Sequence, residues 1–170
     1  IRKLDRLKQY SLMDSKFQSC TFENYKIDKY NKDLYKIANN YCKQWPEMKK
    51  EGLGLILYGE PGIGKSYASF CIANELIKNM TPVIAISSIG LIGKVYDSYR
   101  KYGTEGEYAI MNTFNNADLL VLDDLGAEHE SRQGKEKQIL YSIIDTRIRN
   151  GKPMIVTTNL TLLQLKEKLT

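Results

Sequence analysis

Residues 53–66 read LGLILYGEPGIGKS. A short apolar run of strand character (53–58) ends in a loop whose glycines are Gly59, Gly62 and Gly64. Lys65 and Ser66 close the loop, and YASFCIANELIKN (67–79) follows. There Ala68, Cys71, Ile72 and Leu76 recur at helical spacing. Strand, glycine loop and helix in this order are the context that G-x-x-x-x-G-K-[ST] requires, and Gly59, Gly64, Lys65 and Ser66 fill the pattern. Glycines let successive N–H groups turn inward as a nest, and the helix start adds partial positive charge. Lys65 can reach the outer phosphates and the Ser66 hydroxyl can ligate Mg²⁺. Glu60, Pro61, Ile63 and Tyr67 complete the expected cradle for ATP. The competing reading is a glycine-rich turn that binds nothing.

Composition sets outer bounds. The chain has 170 residues, enough for one domain with a sizeable core. Hydrophobic residues make up 42% and charged residues 26%, which speaks against disorder. A net charge of +5 permits a further anionic partner such as nucleic acid without requiring one. Cys20, Cys42 and Cys71 are widely spaced and His129 is the sole histidine, so neither a zinc site nor a disulfide framework is expected. No apolar run reaches membrane-spanning length, and IRKLDRLKQY (1–10) has no signal-like apolar stretch. The expectation is a soluble protein of a reducing cytoplasm.

Along the chain, residues 1–20 read as a basic arm and 21–170 as the folded core. A first helix carries Leu34, Ile37, Ala38, Tyr41 and Trp45 on one face and is expected to stop at Pro46. Strands are expected near 53–58, 81–87, 117–126 and 152–160. Between the second and third, residues 88–102 form a helix with Ile89, Ile92, Val95, Tyr96 and Tyr99 inward. YGTEG (102–106) is expected to break it, with a second short helix reaching Asn115. A helix over 135–149 turns Ile139, Leu140, Ile143, Ile144 and Ile148 inward, and Thr161 caps a last one. Strand alternating with helix predicts an α/β fold: a parallel sheet with helices on both faces.

LLVLDD (119–124) is an apolar strand ending in two acids, at the end of the sheet where ligands bind. Asp123 is the candidate Mg²⁺ ligand beside Ser66. Asp124 is the candidate general base for the attacking water. Both could instead be turn or capping acids, and Asp is shorter than the Glu more usual at the second place. VTTN (156–159) brings Asn159 to the end of another strand, where an amide could orient water or touch the γ-phosphate; a turn asparagine is the alternative.

GEPGIGKS, LLVLDDLGAE and TTNL, in this order and spacing, resemble the AAA+ ATPases. More narrowly they resemble the DnaC/DnaI-type replicative helicase loaders and their IstB-like relatives, over about residues 20–170. The resemblance implies a P-loop NTPase sheet of order 5-1-4-3-2. It implies that TFENYKI (21–27) wraps the nucleotide base, which makes Phe22 and Tyr25 candidate ATP contacts. The family's fifth strand, lid, arginine finger and sensor-two arginine would follow Thr170, and its helicase-contacting domain would precede Ile1. The implied partners are a replicative helicase, single-stranded DNA and further copies in a ring or spiral, in a bacterium or phage.

The resemblance also implies that the helical element at 88–115 faces single-stranded DNA. It carries Lys94, Arg100 and Lys101 among Tyr96, Tyr99 and Tyr102, and cations among aromatics grip single strands. An ordinary amphipathic helix, with tyrosines half buried and lysines solvated, is the preferred reading of the individual residues. Arg132, Arg147 and Arg149 could reach a neighbour's γ-phosphate, but an ion pair with an acid such as Asp145 is preferred. The leading expectation is an ATP-driven helicase loader. Its rivals are an IstB-like transposition helper, a small-molecule kinase and a nucleotide-dependent scaffold without turnover.

Overall fold

The computed structural model describes residues 17–128 and 134–170, with the backbone alone at 101–105. Most of the basic arm, His129, Arg132 and the side chains of Lys101 and Tyr102 lie outside the described residues. Four parallel strands form one sheet in the order β1-β4-β3-β2. They are β1 (Leu55–Tyr58), β2 (Val83–Ser87), β3 (Leu119–Asp123) and β4 (Met154–Thr158). This is the expected order over its first four strands. Among the described residues six helices accompany them: α1 (Lys32–Lys43), α2 (Trp45–Glu51), α3 (Lys65–Lys78), α4 (Ser88–Asn116), α5 (Lys135–Arg149) and α6 (Leu162–Leu169). None of the described helices is long and apolar enough to cross a membrane.

The period of two along each strand makes two cores. Val83, Ala85, Leu119, Val121 and Ile155 face one side, packed under α1, α2 and α3 through Tyr41, Trp45, Cys71 and Leu76. Ile84, Ile86, Leu120, Leu122 and Val156 face the other, under α4, α5 and α6 through Leu91, Phe114, Ile143 and Leu165. Burial on both faces is why β3 reads as an unbroken apolar run. Parallel pairing brings Tyr58, Ser87, Asp123 and Thr158 to one end of the sheet.

Three local expectations are corrected. The expected break at YGTEG is absent: α4 is one helix of 29 residues. Glycines inside a helix cost about 1 kcal/mol each relative to alanine. Leu91, Ile92 and Val95 near the start of α4 and Phe114 near its end are buried in the core, with Ile110 partly buried beside them, and this packing offsets that cost. Pro46 begins α2 rather than merely ending α1, because the first helical turn needs no donor from it. Ile89 and Ile148, expected inward, are 58% and 66% exposed. In the first turn of α4 the buried stripe runs through Leu91 and Ile92 instead.

The core also begins earlier than 21. Phe17 stacks on Phe70 at 3.9 Å between ring centroids, and Cys20 is buried. The Asn74 amide on α3 donates to the carbonyls of Phe17 and Cys20 at 3.0 and 2.8 Å. This pins the leading segment against α3. Cys42 and Cys71 are free thiols.

Candidate nucleotide site

The chain leaves β1 at Tyr58 and turns through Gly62 and Gly64, whose φ values of 84° and 89° are left-handed. A Cβ at either would meet open space, so backbone conformation rather than crowding selects glycine. Gly64 is the N-cap of α3, and no side chain caps the helix there. The first N–H groups of a helix lack intrahelical partners and favour an anion. Lys65 is buried, and its ammonium donates to the carbonyls of Gly59 and Glu60, both at 2.8 Å. Burial lowers its pKa, against the opposing pull of Asp124, Glu60 and Asp123. The Glu60 and Ile63 side chains are exposed; Glu60 enters the site through its carbonyl.

The facing wall comes from the ends of β3 and β4. Ser66 Oγ donates to Asp123 Oδ1 at 2.7 Å, and Thr157 Oγ1 donates to the same oxygen at 2.6 Å. The Asp124 N–H donates to Thr157 Oγ1 at 2.8 Å, and Ser88 Oγ donates to the Asp124 carbonyl at 2.9 Å. Asp124 has φ of 58°, one of two described non-glycine residues with positive φ. Its carboxyl is held above the ordinary aspartate pKa, first by burial and then by Asp123, with Lys65 opposing and Glu128 adding.

A cleft of about 270 Å³ lies between these two walls, and Asp123 and Ser88 are not among the residues lining it. Pro61, Gly62, Gly64, Lys65, Ser66 and Tyr67 form one side; Asp124, Thr157, Thr158 and Asn159 form the other. Asn159 is exposed, at the end of the strand paired with β1. A second cleft of about 330 Å³ shares Gly64 and Tyr67 and is walled by Asn24, Tyr25, Lys26 and Asn31. Tyr25 meets Tyr67 and Tyr35 edge to face, at 5.3 and 5.0 Å between ring centroids. Burial pushes its phenol up to about 12. Phe22 stands against Tyr35 at 5.7 Å and is not among the residues lining the cleft. The two clefts thus adjoin at Gly64 and Tyr67, with the Tyr25 ring beside the second.

Thr157, Ser88 and Glu128 were not among the sequence candidates. VTTN, which holds Thr157, points by itself only to its asparagine, and LLVLDDLGAE, which holds Glu128, only to its two aspartates. The Glu128 carboxylate accepts from the Gly126 N–H at 2.8 Å and pairs with Lys168 at 3.6 Å; Lys168 also donates to the Gly126 carbonyl at 3.0 Å.

On α4, Lys94 and Arg100 are exposed. Tyr96 donates to Glu136 at 2.7 Å, Tyr99 donates to Glu107, and the Lys135 ammonium lies 4.0 Å over the Tyr99 ring. Both tyrosines join α4 to its surroundings rather than standing free in solvent. Arg149 pairs with Asp145 at 3.0 Å. Arg147 is wholly buried, donating at 2.7–2.8 Å to the carbonyls of Phe114, Ala117 and Pro153. It therefore cannot reach a neighbouring subunit.

Comparison with known proteins places this geometry. Residues 1–170 match the family described as IstB-like ATP binding protein. The replicative helicase loader DnaC of Escherichia coli K12 is 32% identical over 143 residues, 84% of this chain and 56% of that protein. The replicative helicase loader DnaI of Bacillus subtilis is 27% identical, over 99% of this chain and 55% of that protein. The chain spans about half the length of these relatives. A crystal structure of the DnaC helicase loader superposes with a TM-score of 0.74 at 22% identity, covering 92% of this chain and 88% of that one. The AMPPCP-bound DnaA of Aquifex aeolicus superposes at 0.69 with 20% identity, over 91% and 45%. At these identities the structural matches speak for the fold. With its whole length matched and its sheet in the AAA+ order, the chain belongs to the IstB-like ATP-binding family.

Proposed function

We propose that this chain is the ATP-hydrolysing core of a protein that loads a replicative helicase onto single-stranded DNA. One observation carries the enzymatic half of the reading: Lys65, Ser66, Asp124 and Asn159, from three separate segments, line a single cleft. In this reading the loop amides and Lys65 hold the phosphates, and the leading segment around Tyr25 holds the base. Asp124 accepts the proton of the attacking water, and Asn159 orients that water. Ser66 and Asp123 offer two hard oxygen donors already within hydrogen-bond distance, which fits Mg²⁺. Bound there, the metal would neutralise charge building on the phosphates. The loader assignment draws on DnaC and DnaI, both named as replicative helicase loaders. A DnaA structure that superposes on this chain is described as bound to single-stranded DNA. The exposed Lys94 and Arg100 are the proposed DNA contacts, and assembly with further copies is part of the proposal.

The test is ATP turnover by the full-length protein, with and without single-stranded DNA, beside Lys65→Ala and Asp124→Asn. DNA-stimulated turnover lost in both variants is the expected result. Tight ATP binding without turnover under any condition would leave ATP as a conformational ligand and sink the hydrolytic reading.

A further inference from the structure

We infer that Thr157 and Ser88 are positioning residues that clamp the backbone of Asp124 and so aim its carboxylate into the phosphate cleft. The inference rests on the reading of Asp124 as the water-activating acid. Asp124 sits in the left-handed region at φ 58°, which a non-glycine residue holds only when its surroundings over-determine it. Two hydroxyls do so, one on each side of its Cα. Thr157 Oγ1 accepts the Asp124 N–H at 2.8 Å, and Ser88 Oγ donates to the Asp124 carbonyl at 2.9 Å. Thr157 is 2% exposed and Ser88 is fully buried, so water does not readily substitute for either.

The proton count fixes the direction of the chain of bonds. A hydroxyl has one hydrogen. The Asp124 N–H is itself a donor, so the Thr157 hydrogen goes to Asp123 Oδ1, at 2.6 Å. One hydroxyl therefore sets the backbone of the second acid against the carboxylate of the first. Asp123 stays anchored by Thr157 whichever partner Ser66 takes. The two hydroxyls also come from different elements, Thr157 from the end of β4 and Ser88 from the first turn of α4. The peptide on each side of Asp124 is thus tied to the structure around it, and a small shift of either anchor turns the carboxylate.

A role confined to structure would lower stability and leave turnover per folded molecule alone. Positioning predicts a split between kcat and KM. In the full-length protein, Thr157→Val should lower kcat by about ten- to a hundredfold, the scale of sub-ångström misplacement. KM for ATP and the Kd of a fluorescent ATP analogue should stay within about twofold. Thr157→Ser, which keeps the hydroxyl, should restore kcat. Ser88→Ala should lower kcat by a smaller factor, and it serves as the second probe should Thr157→Val fold poorly by thermal melting. In an Asp124→Asn background neither substitution should lower turnover further. Asp124→Asn inactive with Thr157→Val and Ser88→Ala at full kcat would overturn the clamp alone. Asp124→Asn at full turnover would overturn the reading of Asp124, and the clamp's purpose with it.

Discussion

Ser66 Oγ donates to Asp123 Oδ1 across 2.7 Å, and this contact ties the start of α3 to the end of β3. The same oxygen also takes the Thr157 hydrogen, so the carboxylate keeps one donor if Ser66 leaves. Ser66→Ala should therefore change fold stability little. It should remove one oxygen donor from the proposed metal site. Loss of a group that supports a metal site typically costs about ten- to a hundredfold in metal affinity. ATP affinity in Mg²⁺ should fall by that order, while ATP affinity in EDTA should not move. Parallel titrations with and without the metal make the check.

Asp124 offers a prediction about stability and pH together. Burial and Asp123 raise its pKa in the folded chain. A carboxyl raised above its unfolded value favours the fold while protonated, and that advantage is lost as pH rises through the folded pKa. At neutral pH the ionised form is thus a burden on the fold. Asp124→Asn should raise the melting temperature at pH 7 and abolish turnover, a trade between stability and function. The gain should shrink as pH falls toward the carboxylate range. In the unsubstituted protein the acid limb of kcat should lie above the ordinary aspartate value. Melting curves across pH and a pH–rate profile test both statements.

Arg147 explains how a buried cation can serve the fold. It sits in the last turn of α5 and reaches the carbonyls at the end of α4, where the helix dipole is negative. Its second nitrogen reaches the Pro153 carbonyl just ahead of β4. Desolvation lowers its pKa to about 10, which leaves it charged at neutral pH. Arg147→Met removes the donors and leaves buried carbonyls unpaired, each worth about 1–3 kcal/mol. We expect a loss of about 3–5 kcal/mol in urea unfolding, with ATP affinity of the folded fraction unchanged. Preserved stability would contradict the staple role.

What could be read from the sequence follows the physics of each signal. The glycine loop and the acids of β3 are local patterns, since strand, turn and helix chemistry sit within a few residues of one another. The 135–149 helix is legible because Ile139, Leu140, Ile143 and Ile144 recur at helical spacing, although Ile148 beyond them turns out to solvent. Strand order was accessible only through resemblance, because parallel pairing joins residues 100 positions apart, as in Leu55 with Ile155. The break expected in α4 is absent because glycine weakens a helix only locally, while buried residues near both ends hold the helix to the core. Arg147 was misjudged for a related reason: nothing in TRIR (146–149) says that the carbonyls at the end of α4 will surround its guanidinium. Hydroxyls such as Thr157 and Ser88 are equally silent, since their partners lie 33 and 36 residues away.

Gly126 carries the last prediction. Its φ of 104° lies where only glycine is at ease, and a Cβ there would stand 2.6 Å from Leu160 Cδ1. Its N–H and carbonyl are both engaged, by Glu128 and by Lys168. The peptide cannot simply rotate away without breaking one of these bonds. Gly126→Ala thus meets two separable costs: backbone strain of about 1–3 kcal/mol, and a collision with a side chain that follows Asn159. Leu160→Ala opens the space, so the double variant should recover the steric part and keep the backbone part. A double-mutant cycle in urea should give a favourable coupling between the two positions. A coupling of zero would mean that Leu160 yields freely and that the turn after Asp124 is held by backbone conformation alone.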